Sequence, residues 1–239
     1  MSITYHDIAK MIDHSLLNPT LTQADLHAGI DLALRFDVAS VCILPYALKD
    51  CAERLKGSDV RASTTIGFPH GGHTTAIKIL ETRQALADGG EELDMVVNIS
   101  RVLSGEYEAV AQEIAQITAI THDHGQKVKV IFENAYLQDE HKIRLCRICG
   151  EIGVDWVKTS TGYAPGGATD DDLRLMRAHS PAHVQVKAAG GIRDFGSMMR
   201  VREIGVTRVG ASRTADMLNA ARESLGLEPI EAIAVAAGY

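Results

Sequence analysis

The chain has 239 residues and a formal net charge of −7, a balance that gives no electrostatic support to a nucleic-acid partner. No apolar run approaches the roughly 20 residues of a membrane span, and Met1 to Lys10 is polar and mixed, unlike a signal peptide. A cytoplasmic protein with no membrane and no nucleic-acid partner is therefore expected.

Ile3 to Met11 has the spacing of a short amphipathic helix, and Ile12-Asp13-His14-Ser15-Leu16-Leu17 reads as a strand closed by Asn18-Pro19. Thr20 or Thr22 caps a helix that runs to about Phe36. Val38 to Ile43 is a buried strand stopped by Pro45, and Ala47 to Leu55 is helical. Arg61 to Gly67 is strand-like and ends in Gly67-Phe68-Pro69-His70-Gly71-Gly72. Thr74 to Asp88 shows helical apolar spacing at Ile77, Leu80 and Ala85, and Glu92 to Val97 reads as a strand. Ser104 to His122 is a long helix, Lys127 to Phe132 a strand and Gln138 to Gly150 a helix. Val154 to Thr159 is a strand, and Thr169-Asp170-Asp171-Asp172 opens a helix whose acidic residues suit its positive N-terminal end. Val184 to Ala188 is a strand, Phe195 to Ile204 a helix and Thr207 to Gly210 a strand. Ser212 caps a helix toward Leu225, and Glu228 to Ala237 forms a last small helix.

Eight short strands alternating with helices signal the α/β class, with a parallel sheet and helices outside. Eight such units in this length suit a (β/α)8 TIM barrel. A doubly wound open sheet favours a glycine-rich turn after the first strand, and Asn18-Pro19 stands there instead. With no composition break or linker, residues 1–239 read as a single domain.

Two of the strands carry a late lysine. Val154-Asp155-Trp156-Val157-Lys158 leads into Thr159-Ser160-Thr161-Gly162, and Val184-Gln185-Val186-Lys187 into Ala188-Ala189-Gly190-Gly191. A buried ammonium is penalised by desolvation, which lowers its pKa and frees the amine as a nucleophile toward carbonyls. The other reading of Lys158 is a strand-end lysine whose charge reaches water. Lys187 shifts the balance, because a neighbouring ammonium depresses an amine's pKa further. Leu93-Asp94-Met95-Val96-Val97 adds a carboxylate for proton work.

In a barrel of this kind the chemistry collects at the C-terminal ends of the strands. Asp13, Cys42, Asp94, Glu133, Lys158 and Lys187 all lie on or just after a strand. Gly190-Gly191 and Gly210-Ala211-Ser212-Arg213 follow the last two strands and offer backbone amides and a hydroxyl to a phosphate. Ordinary tight turns are the other reading of those glycines. His14, His70 and His73 raise the question of a metal, but the His70–His73 loop is glycine-rich and lacks a carboxylate partner, so no metal and no cofactor are expected. Cys146 and Cys149 form a C-x-x-C inside a helical run with no second pair at zinc spacing, and read as small apolar residues of a helix face.

The segments Lys158-Thr159-Ser160-Thr161-Gly162, Val186-Lys187-Ala188-Ala189-Gly190-Gly191 and Glu92-Leu93-Asp94-Met95-Val96-Val97 strongly resemble those of the 2-deoxyribose-5-phosphate aldolases. So do Asp13-His14-Ser15-Leu16-Leu17, Ser40-Val41-Cys42, Ile66-Gly67-Phe68-Pro69-His70-Gly71 and Arg208-Val209-Gly210-Ala211-Ser212, in order from about residue 10 to 215. The resemblance implies a metal-free class I aldolase that reversibly cleaves 2-deoxy-D-ribose 5-phosphate to acetaldehyde and D-glyceraldehyde 3-phosphate. It makes Lys158 the Schiff-base lysine, Lys187 the neighbour that lowers its pKa and Asp94 an acid/base working with Lys187 and a water. Asp13, Cys42, Gly162, Gly190, Gly191, Gly210, Ser212 and Arg213 are expected at the substrate, although barrel filling is the plainer role for Cys42, and Arg213 either adds a charged fork to the phosphate or points to solvent. A homodimer is implied as well.

Ser15, Leu44, Asn134, Tyr163 and Arg213 depart from the pattern of that family. Leu44, Asn134 and Arg213 raise the alternative of a related class I aldolase for a different phosphorylated sugar. The chain ends in Ala236-Ala237-Gly238-Tyr239. That tail reads either as a frayed terminus or, by the resemblance, as a segment whose phenol reaches the active site.

Overall fold

The computed structural model describes residues 3–231. Eight parallel strands, β1 (Ile12–Leu16), β2 (Ser40–Ile43), β3 (Arg61–Ile66), β4 (Glu92–Val96), β5 (Lys127–Ile131), β6 (Trp156–Lys158), β7 (Gln185–Ala189) and β8 (Arg208–Ala211), pair in chain order. Strand β8 returns to β1 through Ile12, Asp13 and His14, so the sheet closes as the expected (β/α)8 barrel. Around it run α1 (Tyr5–Ala9), α2 (Gln23–Phe36), α3 (Leu48–Leu55), α4 (Thr75–Ala87), α5 (Ile99–Leu103), α6 (Tyr107–Asp123), α7 (Asp139–Ile152), α8 (Asp170–His179), α9 (Phe195–Glu203) and α10 (Thr214–Ser224). Among the described residues no helix is long and apolar enough to cross a membrane.

Local chemistry sets the helix ends. Thr22 and Asp25 cap one another at the start of α2, and Thr74, Thr169 and Asp194 accept the first free N–H groups of α4, α8 and α9. Gly153, at φ 83°, stops α7 in left-handed backbone that a side chain disfavours.

Register then divides the strands into two faces, because residues paired across a parallel ladder point the same way. One set runs Leu93, Val128 and Met95, Val130, Val157, Val186, all wholly buried. These face the helices and pack with Ile114, Ile117, Leu145, Cys149, Leu173 and Met198 in a continuous apolar layer. Burying each large aliphatic side chain is worth about 1.5–3 kcal/mol, so this outer layer supplies the driving force for the fold. The other set runs Asp13, Ser40, Glu92, Asp94, Lys129, Trp156, Lys158, Lys187 and Arg208. Barrel interiors are usually filled with branched apolar residues; this one is filled with charge.

The structure departs from the sequence expectations in four places. Residues 99–103 form α5, capped by Asn98, and the long helix expected from Ser104 begins at Tyr107, after Gly105 has turned the chain at φ 73°. Arg213, not Ser212, stands at the N-cap of α10 and makes no side-chain cap bond. The lysine strand is only Trp156–Lys158, because the Asp155 carboxyl instead accepts the Val128 N–H at 2.9 Å. Residues 228–231 of the expected last helix are not helical; the rest of that segment and Tyr239 lie outside the described residues.

Candidate active site

Inside the barrel one carboxylate gathers three lysines. Asp94 Oδ2 lies 2.7 Å from Lys158 Nζ and 2.8 Å from Lys187 Nζ, while Asp94 Oδ1 lies 2.8 Å from Lys129 Nζ. Strands β4, β5, β6 and β7 are consecutive neighbours, and the pairs Asp94–Lys129 and Lys158–Lys187 stand in register, so the sheet itself delivers these contacts. A second tier lies around them. Lys187 Nζ is 2.6 Å from Asp13 Oδ2, Lys129 Nζ is 2.6 Å from Glu92 Oε2, and Arg208 bridges Asp13 and Glu92 at 2.5 and 2.8 Å. Ser40 donates to Asp13 Oδ1 at 2.7 Å. Trp156 closes the assembly, with the Arg208 guanidinium 4.9 Å and Lys129 Nζ 5.7 Å from its ring centre.

The cluster holds three carboxylates, Asp13, Glu92 and Asp94, against four basic groups, Lys129, Lys158, Lys187 and Arg208. Full ionisation would leave one positive charge in a dry interior, which desolvation penalises heavily. Partner counts decide which ammonium is least supported. Lys129 meets Asp13, Glu92 and Asp94; burial pulls its pKa down, but these three carboxylates outweigh burial and hold it above the usual lysine value. Lys187 meets Asp13 and Asp94, and again burial is outweighed and the ammonium is favoured. Lys158 has only Asp94, shared with two other lysines. Burial and the Lys187 charge together overcome Asp94, and the pKa of Lys158 falls below its ordinary value. Asp94 is driven the other way: burial would raise it, yet Lys129, Lys158 and Lys187 hold it well below the carboxylate range.

Above this charged floor opens a cavity of about 200 Å³. Lys158, Lys187, Asp13 and Cys42 form its base, and Gly162, Gly190, Gly191, Gly210 and Ser212 its wall. The sequence-predicted residues are thus brought together, with two qualifications. Asp94 lies wholly buried beneath the lysines rather than on the cavity surface. Arg213 does not line the cavity; its guanidinium is turned to Asp216 at 2.8 Å on the first turn of its own helix. Gly190 and Gly191 stand at φ 77° and 84°, so the backbone favours glycine at both, and a Cβ on Gly190 would also meet Gly167 Cα at 2.9 Å. Burial, joined by the Asp94 charge, raises the Cys42 thiol pKa, so Cys42 is protonated filling in the resting site.

Sequence reasoning missed Lys129, Glu92 and Arg208, and it chose Arg213 where the cavity is lined by Arg193. Lys129 was legible: Lys127-Val128-Lys129-Val130 alternates with period two, which puts Lys129 on the same face as Asp94 across the ladder. Arg193 follows the glycine pair by two residues, a cation next to a turn already singled out.

Similarity to known proteins runs along nearly the whole chain. A family model described as "DeoC/LacD family aldolase" matches residues 8–215. A deoxyribose-phosphate aldolase of Rhodopirellula baltica is 66% identical over 236 residues, 98% of each chain. One of Thermococcus gammatolerans is 43% identical over 220 residues, covering 91% of this chain and 98% of that protein. Among solved structures, a putative deoxyribose-phosphate aldolase from Coccidioides immitis superposes with TM-score 0.88 at 30% identity, covering 93% of this chain and 88% of that one. A deoxyribose phosphate aldolase from Aeropyrum pernix, described as tetrameric, gives 0.82 at 29% identity and 93% coverage of each chain. A barrel with three lysines on one buried carboxylate, matched over these spans, belongs to the DeoC/LacD aldolase family.

Proposed function

We propose that the chain reversibly cleaves 2-deoxy-D-ribose 5-phosphate to acetaldehyde and D-glyceraldehyde 3-phosphate through a Schiff base on Lys158. The observation that carries this reading is the asymmetry among the buried lysines. Lys129 meets three carboxylates and Lys187 two, which favours their ammonium forms, whereas Lys158 meets only the shared Asp94, has its pKa lowered by burial and by Lys187, and faces the cavity.

The amine of Lys158 adds to the C1 aldehyde of the open-chain sugar, and loss of water from the carbinolamine leaves an iminium ion. Lys187, protonated and beside the same Asp94 oxygen, is placed to give the departing hydroxyl its proton. The iminium draws the electron pair of the C2–C3 bond as the C3 hydroxyl surrenders its proton. D-glyceraldehyde 3-phosphate leaves and an enamine remains on Lys158. Protonation at C2 and hydrolysis then release acetaldehyde and restore the amine. Asp94 accepts and returns the proton in transit, through a water and in exchange with Lys187. Three cations make Asp94 a weak base at rest, so its part is to orient Lys187 and take the proton only while the pair is turning over.

The phosphate is assigned to the wall of Gly190, Gly191, Gly210 and Ser212, with Arg193 as its cation. Leu44, Asn134 and Arg213, the departures that raised a different sugar, do not line the cavity and give no ground for that alternative. Sodium borohydride reduction followed by peptide mass spectrometry tests the proposal. Acetaldehyde and deoxyribose 5-phosphate should both leave a reduced two-carbon adduct on Lys158; an adduct on Lys187 alone would reverse the assignment. Two further proposals accompany it. The four buried free thiols fit a reducing cytoplasm, and Ile77 and Leu80, exposed apolar residues of α4, suit contact with a second copy, to be measured by sedimentation.

A further inference from the structure

Strand β5 ends in a distortion that the proposed chemistry does not use. The Phe132 N–H donates to Lys158 O at 3.0 Å and the Asn134 N–H to Thr159 O at 2.9 Å. In a regular parallel ladder, N–H groups two residues apart reach carbonyls two residues apart. Here a step of two on one strand meets a step of one on its neighbour, so Glu133 is the extra residue of a bulge. Its backbone sits at φ 59°, ψ 65°, left-handed and unfavourable for any residue with a Cβ.

The strained position delivers a side chain. Glu133 is 2% exposed, and its two carboxyl oxygens lie 3.2 and 3.3 Å from the Thr161 N–H nitrogen. The Thr161 hydroxyl donates to Glu133 Oε2 and accepts the Tyr163 N–H at 3.0 Å. Thr161 begins a segment that straps the cavity. Further along, the Tyr163 hydroxyl donates to Leu17 O at 2.7 Å just beyond β1, and the Ala168 N–H reaches Ala189 O and Gly190 O at 3.1 and 3.0 Å at the end of β7. Thr161, Gly162 and Gly166 line the cavity along this strap.

The strap and the nucleophile are held by different bonds. Lys158 is fixed by the sheet, through Phe132 N–H to its carbonyl and through the Thr159 N–H to Lys187 O at 3.2 Å. The Thr161 amide is fixed by the Glu133 side chain. Glu133 thus holds the Thr161 end of the wall and makes none of the backbone bonds that fix Lys158.

We infer that Glu133 is a positioning residue: the bulge at the end of β5 aims its carboxyl at Thr161, and this contact sets the wall against which the phosphorylated sugar binds. The inference rests on the deoxyribose 5-phosphate reading of the site and assigns to Glu133 substrate affinity rather than chemistry at Lys158.

The test is steady-state kinetics on the full chain with deoxyribose 5-phosphate, for the wild type, Glu133→Gly, Glu133→Gln and Thr161→Val. Glycine accepts the left-handed backbone without strain, so Glu133→Gly removes the contact without forcing the bulge, and any cost of the void it leaves falls on stability. Its KM should rise about tenfold, the scale of a lost hydrogen bond to a buried group, with kcat reduced by no more than about threefold. Borohydride should still trap acetaldehyde on Lys158 in this variant. Glu133→Gln keeps an acceptor for the Thr161 N–H and a donor for its hydroxyl oxygen, and its KM should return to within about threefold of the wild type. Thr161→Val removes the hydroxyl half of the same contact and should raise KM in the same sense, so the inference stays testable if Glu133→Gly fails to fold. Unchanged KM in Glu133→Gly and Thr161→Val, or a kcat that falls as far as KM rises with Lys158 no longer trapped, overturns the inference. A wild type that does not cleave deoxyribose 5-phosphate overturns the substrate reading itself, whereas an active wild type with those variant results overturns only the role of Glu133.

Discussion

Lys129 grips Asp94 from one side, Nζ to Oδ1 at 2.8 Å, and so leaves only the other carboxylate oxygen to face the cavity lysines. Both residues are wholly buried. Replacing Lys129 with Met removes the cation that Asp13, Glu92 and Asp94 share and leaves the oxygens it held without that partner, even though Lys158, Lys187 and Arg208 can still match the three carboxylates in charge. Breaking a buried pair from one side typically costs about 3–5 kcal/mol, so the urea midpoint of Lys129→Met should fall sharply. Trp156, the single tryptophan of the chain, stacks on Lys129 and Arg208, and its emission should change in the folded variant. A midpoint equal to wild type would mean that the cluster tolerates the missing charge by admitting water.

His14 offers an acid-sensitivity test outside the catalytic cluster. It is buried on β1, with Nδ1 2.8 Å from Thr214 Oγ1, and burial lowers its pKa from 6.5 to about 4. Below pH 6.5 the unfolded chain takes up a proton that the folded chain refuses, so stability falls with pH from 6.5 to about 4 and levels off beneath. His14→Gln should flatten that part of the stability-versus-pH curve, measured by urea denaturation at a series of pH values. The steeper loss below the ordinary carboxylate range, from Asp13, Glu92 and Asp94, should remain, because their lowered pKa values stabilise the fold only while they are ionised.

The fold was legible where the chain obeys simple periodicity. Strand–helix alternation gave the barrel, and the two late lysines with Asp94 gave the heart of the site. Helix α5 was not legible, because five residues are too few to show a period and only Asn98 marks its start. The partners within the cluster were not legible either. Asp13 and Arg208 are 195 residues apart and meet only because β8 closes on β1. Nor does any sequence pattern announce that Glu133 occupies left-handed backbone, since the position usually asks for glycine.

The two arginines near the proposed phosphate end should separate cleanly. Arg193 lines the cavity after the glycine pair, while Arg213 is exposed and tied to Asp216. Arg193→Ala should raise KM for deoxyribose 5-phosphate about tenfold or more, as a lost charge-assisted contact implies, with little change for unphosphorylated deoxyribose. Arg213→Ala should stay within about twofold for both, in line with a surface pair of small worth. The reverse result would return the phosphate to the α10 side of the wall.

Lys187 gives the sharpest pH prediction. Its ammonium is one of the two causes that lower the pKa of Lys158, after burial itself, and Asp94 opposes both. In Lys187→Leu the repulsion disappears, and Asp94 loses one of its three cations and turns more of its charge on Lys158. Both changes favour the Lys158 ammonium. The reactive amine exists above its pKa, so kcat/KM in the wild type should rise with pH through that value and level off. In Lys187→Leu the same rise should move to higher pH, by an amount that reads the coupling directly, while Lys158 remains trappable by borohydride at alkaline pH. The plateau should also be lower, about 10²–10⁴-fold, if Lys187 supplies the proton for the departing carbinolamine hydroxyl. A lower plateau with no shift of the limb would leave Lys187 as a proton donor that does not tune the nucleophile; a shift with no loss of plateau would leave it the opposite role.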